Sequence, residues 1–158
     1  MSEKEPNNLL APLSSDVSPH QLPKSSILRG KSAFEKLFKA SNTFRSGSIL
    51  FRYCQVPLSD PSTALPNPLQ TAFIAPKRIG NAVIRNKTKR ILRETFRTSN
   101  KELQSFLKMH SINLHLALVA RYSNADFELV SVHMRKGLNN LVEKLACDIN
   151  TFNNYEEI

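Results

Sequence analysis

The chain has 158 residues, which suits one domain with a modest core, and its 22 Lys and Arg against 13 Asp and Glu give a formal net charge of +9. Neither its two cysteines nor its four histidines have the spacing of a disulfide framework or a zinc site. The sequence shows neither the pattern of a signal peptide nor a run of about 18 apolar residues, so we expect a cytoplasmic protein without a membrane span.

The N-terminal segment, residues 1–21, is rich in Pro, Ser and Asn and poor in large apolar residues, which is typical of a disordered tail. We expect the folded domain at residues 22–147 and a frayed C-terminal tail at residues 148–158. The pattern Ser32-x-x-Glu35 is that of a capping box, so a short helix should follow it and end near Ala40.

Two phenylalanines, Phe34 and Phe38, lie four residues apart in this predicted helix, beside the stripe that should face the core. They either widen the core face or form an aromatic platform for unstacked bases, since Lys31, Lys36 and Lys39 are close in sequence. The residues alone leave both interpretations open.

Four segments have the composition of strands: residues 42–45, 48–55, 71–75 and 112–120. Because side chains alternate along a strand, Arg52 and Tyr53 should lie on opposite faces of the second one. Residues 99–110 have the composition of a polar connector, and a last helix should begin between residues 126 and 131 and end near Cys147. These elements predict an α+β sandwich with one mixed four-stranded sheet and a strand–helix–strand crossover, which general rules make right-handed.

The most distinctive stretch is residues 77–97, which contain eight basic residues and one acid, Glu94. Placed on a helix capped by Asn81, the stretch has a basic face opposite an apolar core face that includes Ile84 and Leu92. Basic helices are usually solvated and stabilised by ion pairs, but one carboxylate cannot neutralise eight cations. Because guanidinium groups bind phosphates bidentately, the stretch predicts a nucleic-acid interface.

The positive charge is concentrated in one part of the chain, since residues 24–108 contain 17 Lys or Arg and four Asp or Glu. A basic patch of this kind suits the phosphate backbone of a nucleic acid. A membrane surface is the rival partner, but it requires an exposed apolar face, and here that face is expected to belong to the core.

The run KRIGNAVIRNKTKRILRETFR, residues 77–97, closely resembles the signature of the bacterial ribonuclease P protein component, K-K/R-x-G-x-A-V-x-R-N-R-x-K-R-x-x-R-E. The segments LPKSSILRGKSAFEKLFKAS and ALVARYS resemble the family's opening segment and one of its strands, so the similarity covers residues 22–145. The resemblance implies an α-β sandwich with the element order αβββαβα, whose central crossover is left-handed in this family.

The resemblance implies that the basic helix binds the catalytic RNA subunit of ribonuclease P. Lys87 stands where the family motif has an arginine, which keeps the charge but loses the planar fork of a guanidinium. The set of residues expected to bind the RNA subunit is Lys77, Arg78, Arg85, Asn86, Lys87, Lys89, Arg90, Arg93 and Arg97.

The resemblance also implies that the 5′ leader of precursor tRNA lies in a cleft between the first helix and the sheet. Arg52 stands where the family usually has a cleft tyrosine, so either a cation replaces the stacking or a one-residue shift restores it with Tyr53. The set of residues expected to bind the leader is Lys31, Phe34, Phe38 and Arg52.

The function that the resemblance implies is removal of the 5′ leader by a ribonucleoprotein, in which the RNA subunit performs the hydrolysis with Mg²⁺ and the protein binds no cofactor itself. The expected partners are the catalytic RNA and precursor tRNA, with no membrane, and the protein is expected to be monomeric outside the ribonucleoprotein. An autonomous metal nuclease needs clustered carboxylates, and the only acids near the basic stretch are Glu94 and Glu102. A structural RNA-binding protein of the ribosomal type and a protein-only nuclease stay open as alternatives.

Overall fold

The computed structural model describes residues 22–39, 41–57, 67–123 and 126–156. The expected N-terminal tail, residues 1–21, lies outside these ranges. Two short 3-10 turns, Lys24–Ser26 and Lys77–Ile79, precede the first and second helices. The helices and strands are α1 (Lys31–Lys39), β1 (Asn42–Ser46), β2 (Ile49–Val56), β3 (Leu69–Ile74), α2 (Ala82–Ser99), α3 (Lys101–Met109), β4 (Asn113–Ala120) and α4 (Phe127–Glu156).

The four strands form one mixed sheet in the order β1-β2-β4-β3. Strand β2 pairs antiparallel with β1 and with β4, whereas β3 pairs parallel with β4. Parallel neighbours require a crossover connection, which α2 and α3 provide here. The predicted α+β class, with a mixed four-stranded sheet and a strand–helix–strand crossover, is therefore confirmed.

Helices cover both faces of the sheet, and each face has its own apolar core. On the first face, called the α2 face, Phe51 and Leu116 pack in one large cluster with residues of α2, α3 and α4, including Met134. On the opposite face, called the α1 face, a smaller cluster contains Ala117 of β4 and Leu37 of α1. Helix α1 and the basic helix α2 therefore lie on opposite sides of the sheet.

The long helix α4 packs closely on the centre of the sheet. A Cβ atom at Gly137 would collide with the Phe51 ring, so the close approach requires glycine at this position. The buried stripe predicted for this helix is confirmed, and its members are Met134, Leu138, Leu141 and Leu145.

Two regions of the second half differ from the sequence expectation. Residues 99–110, expected as a polar connector, contain α3, because Leu103 and Leu107 lie one turn apart and are both buried. Helix α4 continues to Glu156 instead of ending near Cys147, since neither proline nor glycine follows to stop it. The part of the expected C-terminal tail that the structure describes is therefore helical.

Helix α1 begins at Lys31, so Ser32 lies in its first turn instead of preceding it as a capping box requires. Gly30, with a φ of +94°, reverses the chain just before the helix, and its carbonyl accepts a hydrogen bond from the backbone N–H of Phe34 at 3.2 Å. Glycine allows this turn without the strain that a side chain would bring.

Candidate nucleic-acid interface

A side-chain cap and a tight turn fix the N-terminus of α2. The Oδ1 atom of Asn81 accepts a hydrogen bond from the backbone N–H of Ile84 at 3.0 Å, which confirms the predicted cap. Gly80 precedes it with a φ of +153°, and a Cβ added there would lie 2.9 Å from the Ile84 side chain. The residues just before the helix therefore determine where its first basic side chains lie.

The buried side of α2 begins only at its second turn. Thr88, Ile91, Leu92 and Thr95 are buried, and both threonine hydroxyls donate hydrogen bonds to carbonyls of the preceding turn. Ile84 was expected in this core face, but it is 39 % exposed because it lies in the first turn, ahead of that contact. The expectation for Ile84 is therefore wrong.

The residues expected to bind the RNA subunit lie on α2 and on the turn before it. Glu94 pairs with Arg97, with an Nη2–Oε2 distance of 3.1 Å. Within the described parts of the chain, none of the other seven basic residues of this stretch forms an ion pair, so the surface carries unneutralised positive charge. The exposed members are Lys77, Arg78, Asn86, Lys87, Arg90 and Arg93, and the half-buried members are Arg85, Lys89 and Arg97.

Two arginines of this surface have distinct surroundings. The guanidinium carbon of Arg93 lies 5.9 Å from the centroid of the Phe73 ring, within cation–π range. The Nε of Arg85 is buried and has no hydrogen-bond acceptor among the described residues. This nitrogen is closed to solvent, so a phosphate would have to bind to the other guanidinium nitrogens of Arg85.

On α1, Phe34 and Phe38 form a stacked pair. Their ring centroids are 6.3 Å apart with an interplanar angle of 19°. The Phe38 side chain is 46 % exposed, whereas Phe34 is half-buried against the smaller core cluster. The buried residues of α1 are instead Ala33 and Leu37. The core interpretation therefore holds in part for Phe34 and fails for Phe38, whose ring is accessible for stacking.

Arg52 lies beside this pair, with its guanidinium carbon 5.0 Å from the centroid of the Phe38 ring. It pairs with Ala117 of β4, which belongs to the cluster on the α1 face. Tyr53 lies on the α2 face, where it contacts Phe44 edge-on, so the predicted alternation is confirmed. A cation, and not a shifted tyrosine, therefore lies next to the phenylalanines. The Nε of Arg52 is also buried and has no acceptor among the described residues.

Lys31, the remaining residue expected to bind the leader, lies in the first turn of α1. Its side chain is 92 % exposed, and its ammonium group is 3.9 Å from the carboxylate of Glu35. Residues three and seven positions apart share one side of a helix, so Lys31 lies on the side of Phe34 and Phe38. An exposed ion pair of this kind is weak and leaves the lysine able to contact a phosphate.

Two titratable groups of β2 have shifted pKa values. Burial, followed by the negative charge of Asp148, raises the pKa of Tyr53. Burial also raises the pKa of the Cys54 thiol, and the positive charge of Lys36 partly offsets this. Both groups are therefore uncharged at neutral pH and add no negative charge near either surface. Cys54 is a buried free thiol, and Cys147 is an exposed one.

Arg121 and Tyr122, which follow β4, are not identified by the sequence pattern. The Nη1 of Arg78 donates a hydrogen bond to the Arg121 carbonyl at 3.3 Å, so these residues adjoin the basic surface. The guanidinium carbon of Arg121 lies 5.3 Å from the centroid of the Tyr122 ring. The signal that could have identified them is an arginine and an aromatic residue placed directly after a buried strand.

Among the described residues, no group of three or more His, Cys, Asp or Glu side chains is arranged to hold a metal ion. In the same ranges, every helix is too short or too polar to cross a membrane. The basic residues of α2 and of the turn before it form one surface, called the α2 surface, whose cations can bind phosphate groups. Lys31, Phe34, Phe38 and Arg52 form a second surface, on the α1 face of the sheet, whose aromatic rings can stack on unpaired bases.

Comparison with known proteins identifies the family. Residues 22–142 match the family model of ribonuclease P. The chain is 34 % identical to the ribonuclease P protein component of Chlorobaculum tepidum over 85 residues, which is 52 % of this chain and about half (53 %) of that relative. The fold is similar to the RNase P protein of Thermotoga maritima, with a TM-score of 0.51 and 19 % identity over 70 % of this chain and 95 % of that one. It is also similar to a mutant RNase P protein of Staphylococcus aureus, with a TM-score of 0.50 and 22 % identity over 78 % of this chain and 89 % of that one. Because the family model covers well over half of its length, the chain belongs to the ribonuclease P family.

Proposed function

We propose that this chain is the protein subunit of ribonuclease P, a cytoplasmic ribonucleoprotein that removes the 5′ leader from precursor tRNA. In this proposal α2 binds the catalytic RNA subunit, and the α1 face binds the leader. The observation that carries the proposal is the presence of two separate surfaces: an unneutralised basic helix, and an exposed stacked phenylalanine pair beside an arginine. A protein that only stabilises a folded RNA needs the first surface but has no use for the second.

The α2 surface acts through charge and guanidinium geometry. Arg85, Arg90 and Arg93 can each bind a phosphate through their guanidinium groups. Lys87 contributes charge without a bidentate contact. Each neutralised phosphate releases counterions from the RNA, so binding should weaken steeply as salt is added.

The α1 face acts through stacking combined with charge. An unpaired nucleotide can place its base on the exposed ring of Phe38, and the adjacent Arg52 can bind its phosphate. Lys31 adds charge on the same side of the helix. Duplex RNA hides the faces of its bases, so this surface suits a single-stranded leader.

The hydrolysis itself belongs to the RNA subunit with Mg²⁺ in this proposal. The protein contributes positive charge and holds the substrate, and it joins the assembly as a monomer through its folded domain. The two surfaces lie on opposite sides of the sheet, so the RNA subunit and the leader can be bound at the same time.

The test is a reconstitution in which the purified chain is added to a bacterial ribonuclease P RNA and a precursor tRNA at low Mg²⁺. The expected result is release of the 5′ leader that depends on both the RNA and the protein. Leader release by the protein without RNA would identify a protein-only nuclease instead. RNA binding without any stimulation of cleavage would favour a structural RNA-binding protein of the ribosomal type.

A further inference from the structure

A further aromatic–cation pair, Arg121 and Tyr122, lies beside the basic surface but contains none of the residues assigned to either surface above. The Tyr122 side chain is 52 % exposed, and the Arg121 guanidinium carbon is 5.3 Å from its ring centroid. The Arg121 Nη1 donates a hydrogen bond to the Gly47 carbonyl at 2.7 Å, and the Tyr122 hydroxyl donates to the same oxygen at 3.4 Å. The turn between β1 and β2 therefore holds both side chains in place while the tyrosine ring stays accessible.

This pair is continuous with the α2 surface. The carbonyl of Arg121 accepts the hydrogen bond from Arg78, which lies in the turn before α2. Tyr122 also lines a small hollow together with Thr88 and Ile91 of α2. Because α1 packs on the other face of the sheet, the pair adjoins the surface proposed for the catalytic RNA and not the surface proposed for the leader.

The chemistry of the pair differs from that of the surrounding cations. Lysines and arginines suffice to bind phosphates, whereas an exposed tyrosine with a guanidinium beside it adds a flat surface on which a base can stack. The nearest acid in the sequence is Asp126, whose carboxylate accepts a hydrogen bond from the backbone N–H of Glu128 at 3.0 Å. That charge therefore interacts with the N-terminus of α4.

We propose that Arg121 and Tyr122 form a stacking site for one unpaired nucleobase of the catalytic RNA, next to the phosphates bound by α2. This inference rests on the proposed function and deepens it, because it adds a base contact to an interface otherwise built on charge. A purely structural role for Tyr122 would be to cover the hollow above Ile91 and Val130. Two substitutions separate the roles: Tyr122→Phe keeps the ring, whereas Tyr122→Leu keeps an apolar cover and removes the stacking face.

The experiment measures the affinity of the full chain for a bacterial ribonuclease P RNA over a range of salt concentrations. Tyr122→Leu should weaken binding about tenfold, the lower part of the range for one stacked base. The salt dependence should stay unchanged because the same phosphates remain neutralised. Tyr122→Phe should bind like the wild type. The matched control is Phe127→Leu, which should have no effect, because Phe127 is 45 % exposed but no cation lies over its ring among the described residues.

Base-specific chemical probing of the RNA gives an independent readout. One unpaired nucleotide should be protected by the wild type and by Tyr122→Phe, and it should become reactive with Tyr122→Leu. A thermal melt checks that each variant folds. If Tyr122→Leu does not, Arg121→Lys takes its place, since it keeps the charge but loses the planar guanidinium, and it should weaken binding without changing the salt dependence.

Three outcomes would overturn the inference. The first is wild-type affinity in Tyr122→Leu, or in Arg121→Lys where that variant replaces it. The second is equal weakening by Tyr122→Phe, which would assign the effect to the hydroxyl contact with Gly47. The third is a loss of affinity only for precursor tRNA that carries a leader. A wild-type chain that does not bind the RNA at all would instead contradict the proposed function.

Discussion

The guanidinium carbon of Arg52 lies 5.0 Å from the centre of the Phe38 ring, on the face of the sheet that α1 covers. The alternation of side chains along β2 places this arginine beside the phenylalanine and sends Tyr53 into the opposite core. A fixed cation next to an exposed aromatic face can hold a nucleotide by its phosphate and its base together. In the proposed function, this pair would take the place of the cleft tyrosine that the sequence resemblance implies for binding the leader.

Phe38→Ala should weaken the affinity of the reconstituted holoenzyme for precursor tRNA about tenfold, since stacking contributes roughly 1–3 kcal/mol per base. Affinity for mature tRNA, which has no leader, should hardly change. Binding of leader-bearing and leader-less tRNA, measured with the same holoenzyme preparation, checks this. Affinity for the RNA subunit alone should also stay constant, because Phe38 and α2 lie on opposite sides of the sheet.

The adjacent residue Leu37 provides the control for stability. Its side chain is fully buried, so Leu37→Ala should lower the free energy of unfolding by about 2–5 kcal/mol. Phe38→Ala should cost much less, because the ring is 46 % exposed. If Phe38→Ala lowered the melting temperature as much as Leu37→Ala and weakened binding of both tRNAs equally, Phe38 would belong to the core after all.

Binding to the RNA subunit should depend steeply on salt. If about five phosphates are neutralised, log K should fall with log[salt] with a slope near −4, at roughly −0.7 to −0.9 per phosphate. Arg85→Ala and Arg90→Ala should each weaken binding and make the slope shallower by about one for every phosphate that the variant no longer neutralises. The measurement is a binding titration at several salt concentrations.

The control for this titration is Lys136→Ala, which removes an exposed cation of α4 outside both proposed surfaces and should leave the slope almost unchanged. An unchanged slope in the Arg85 and Arg90 variants would show that α2 does not contact the phosphates of the RNA subunit. A shallower slope in all three variants would indicate that net charge, and not the α2 surface, determines the affinity.

Features that depend on nearby residues could be predicted from the sequence. The Asn81 cap follows from the residue type and the start of the basic helix, and the separation of Arg52 from Tyr53 follows from strand alternation. The parallel pairing of β3 and β4 joins distant residues, but it too could be predicted, because a helix between two strands of one sheet is the connection that parallel neighbours need.

Features that depend on distant contacts could not be predicted in this way. Ile84 has the periodicity of a core residue, but the first turn of α2 lies ahead of the contact with the sheet. Tyr122 acquires its position through the Gly47 carbonyl, a contact between residues 75 positions apart in the chain. Helix α3 is stabilised by burial of Leu103 and Leu107 in the large cluster; the sequence marks both as apolar anchors, but it does not show the distant partners that make the segment helical.

Asn81→Ala should lower the free energy of unfolding by about 1 kcal/mol, because the backbone N–H of Ile84 loses its hydrogen-bond acceptor. Asn81→Asp should retain the cap and restore most of the stability. Denaturant unfolding of the three proteins checks the prediction. Equal stability of the wild type and Asn81→Ala would show that water accepts the hydrogen bond from the backbone N–H of Ile84 as well as the Asn81 side chain does.

Alkylation should distinguish the two free thiols. Burial raises the pKa of Cys54, so at a given pH it has less of the reactive thiolate than an unshifted cysteine, and its 8 % exposure restricts access of the reagent. Iodoacetamide near pH 8 should therefore modify the exposed Cys147 first, as peptide mass spectrometry can measure. Cys147→Ser should remove the fast reaction, and Cys54→Ser should leave it. Equal rates at the two sites would show that β2 opens on the timescale of labelling.

Deleting residues 1–20 should leave both the melting temperature and leader removal nearly unchanged, because that segment has too little apolar surface to offset the entropy of ordering it. The described core begins after it, with Leu22 packed against the large cluster and Leu28 only 3 % exposed.

Deleting residues 1–28 is the matched control, because it also removes the backbone bridge between Ile27 and Thr71 and should lower the melting temperature clearly. Thermal melts and the reconstitution assay on both truncated chains provide the comparison. A large drop in the melting temperature with the shorter deletion would mean that the folded domain begins before residue 21. Unchanged stability with reduced leader removal would instead assign the segment a part in binding RNA.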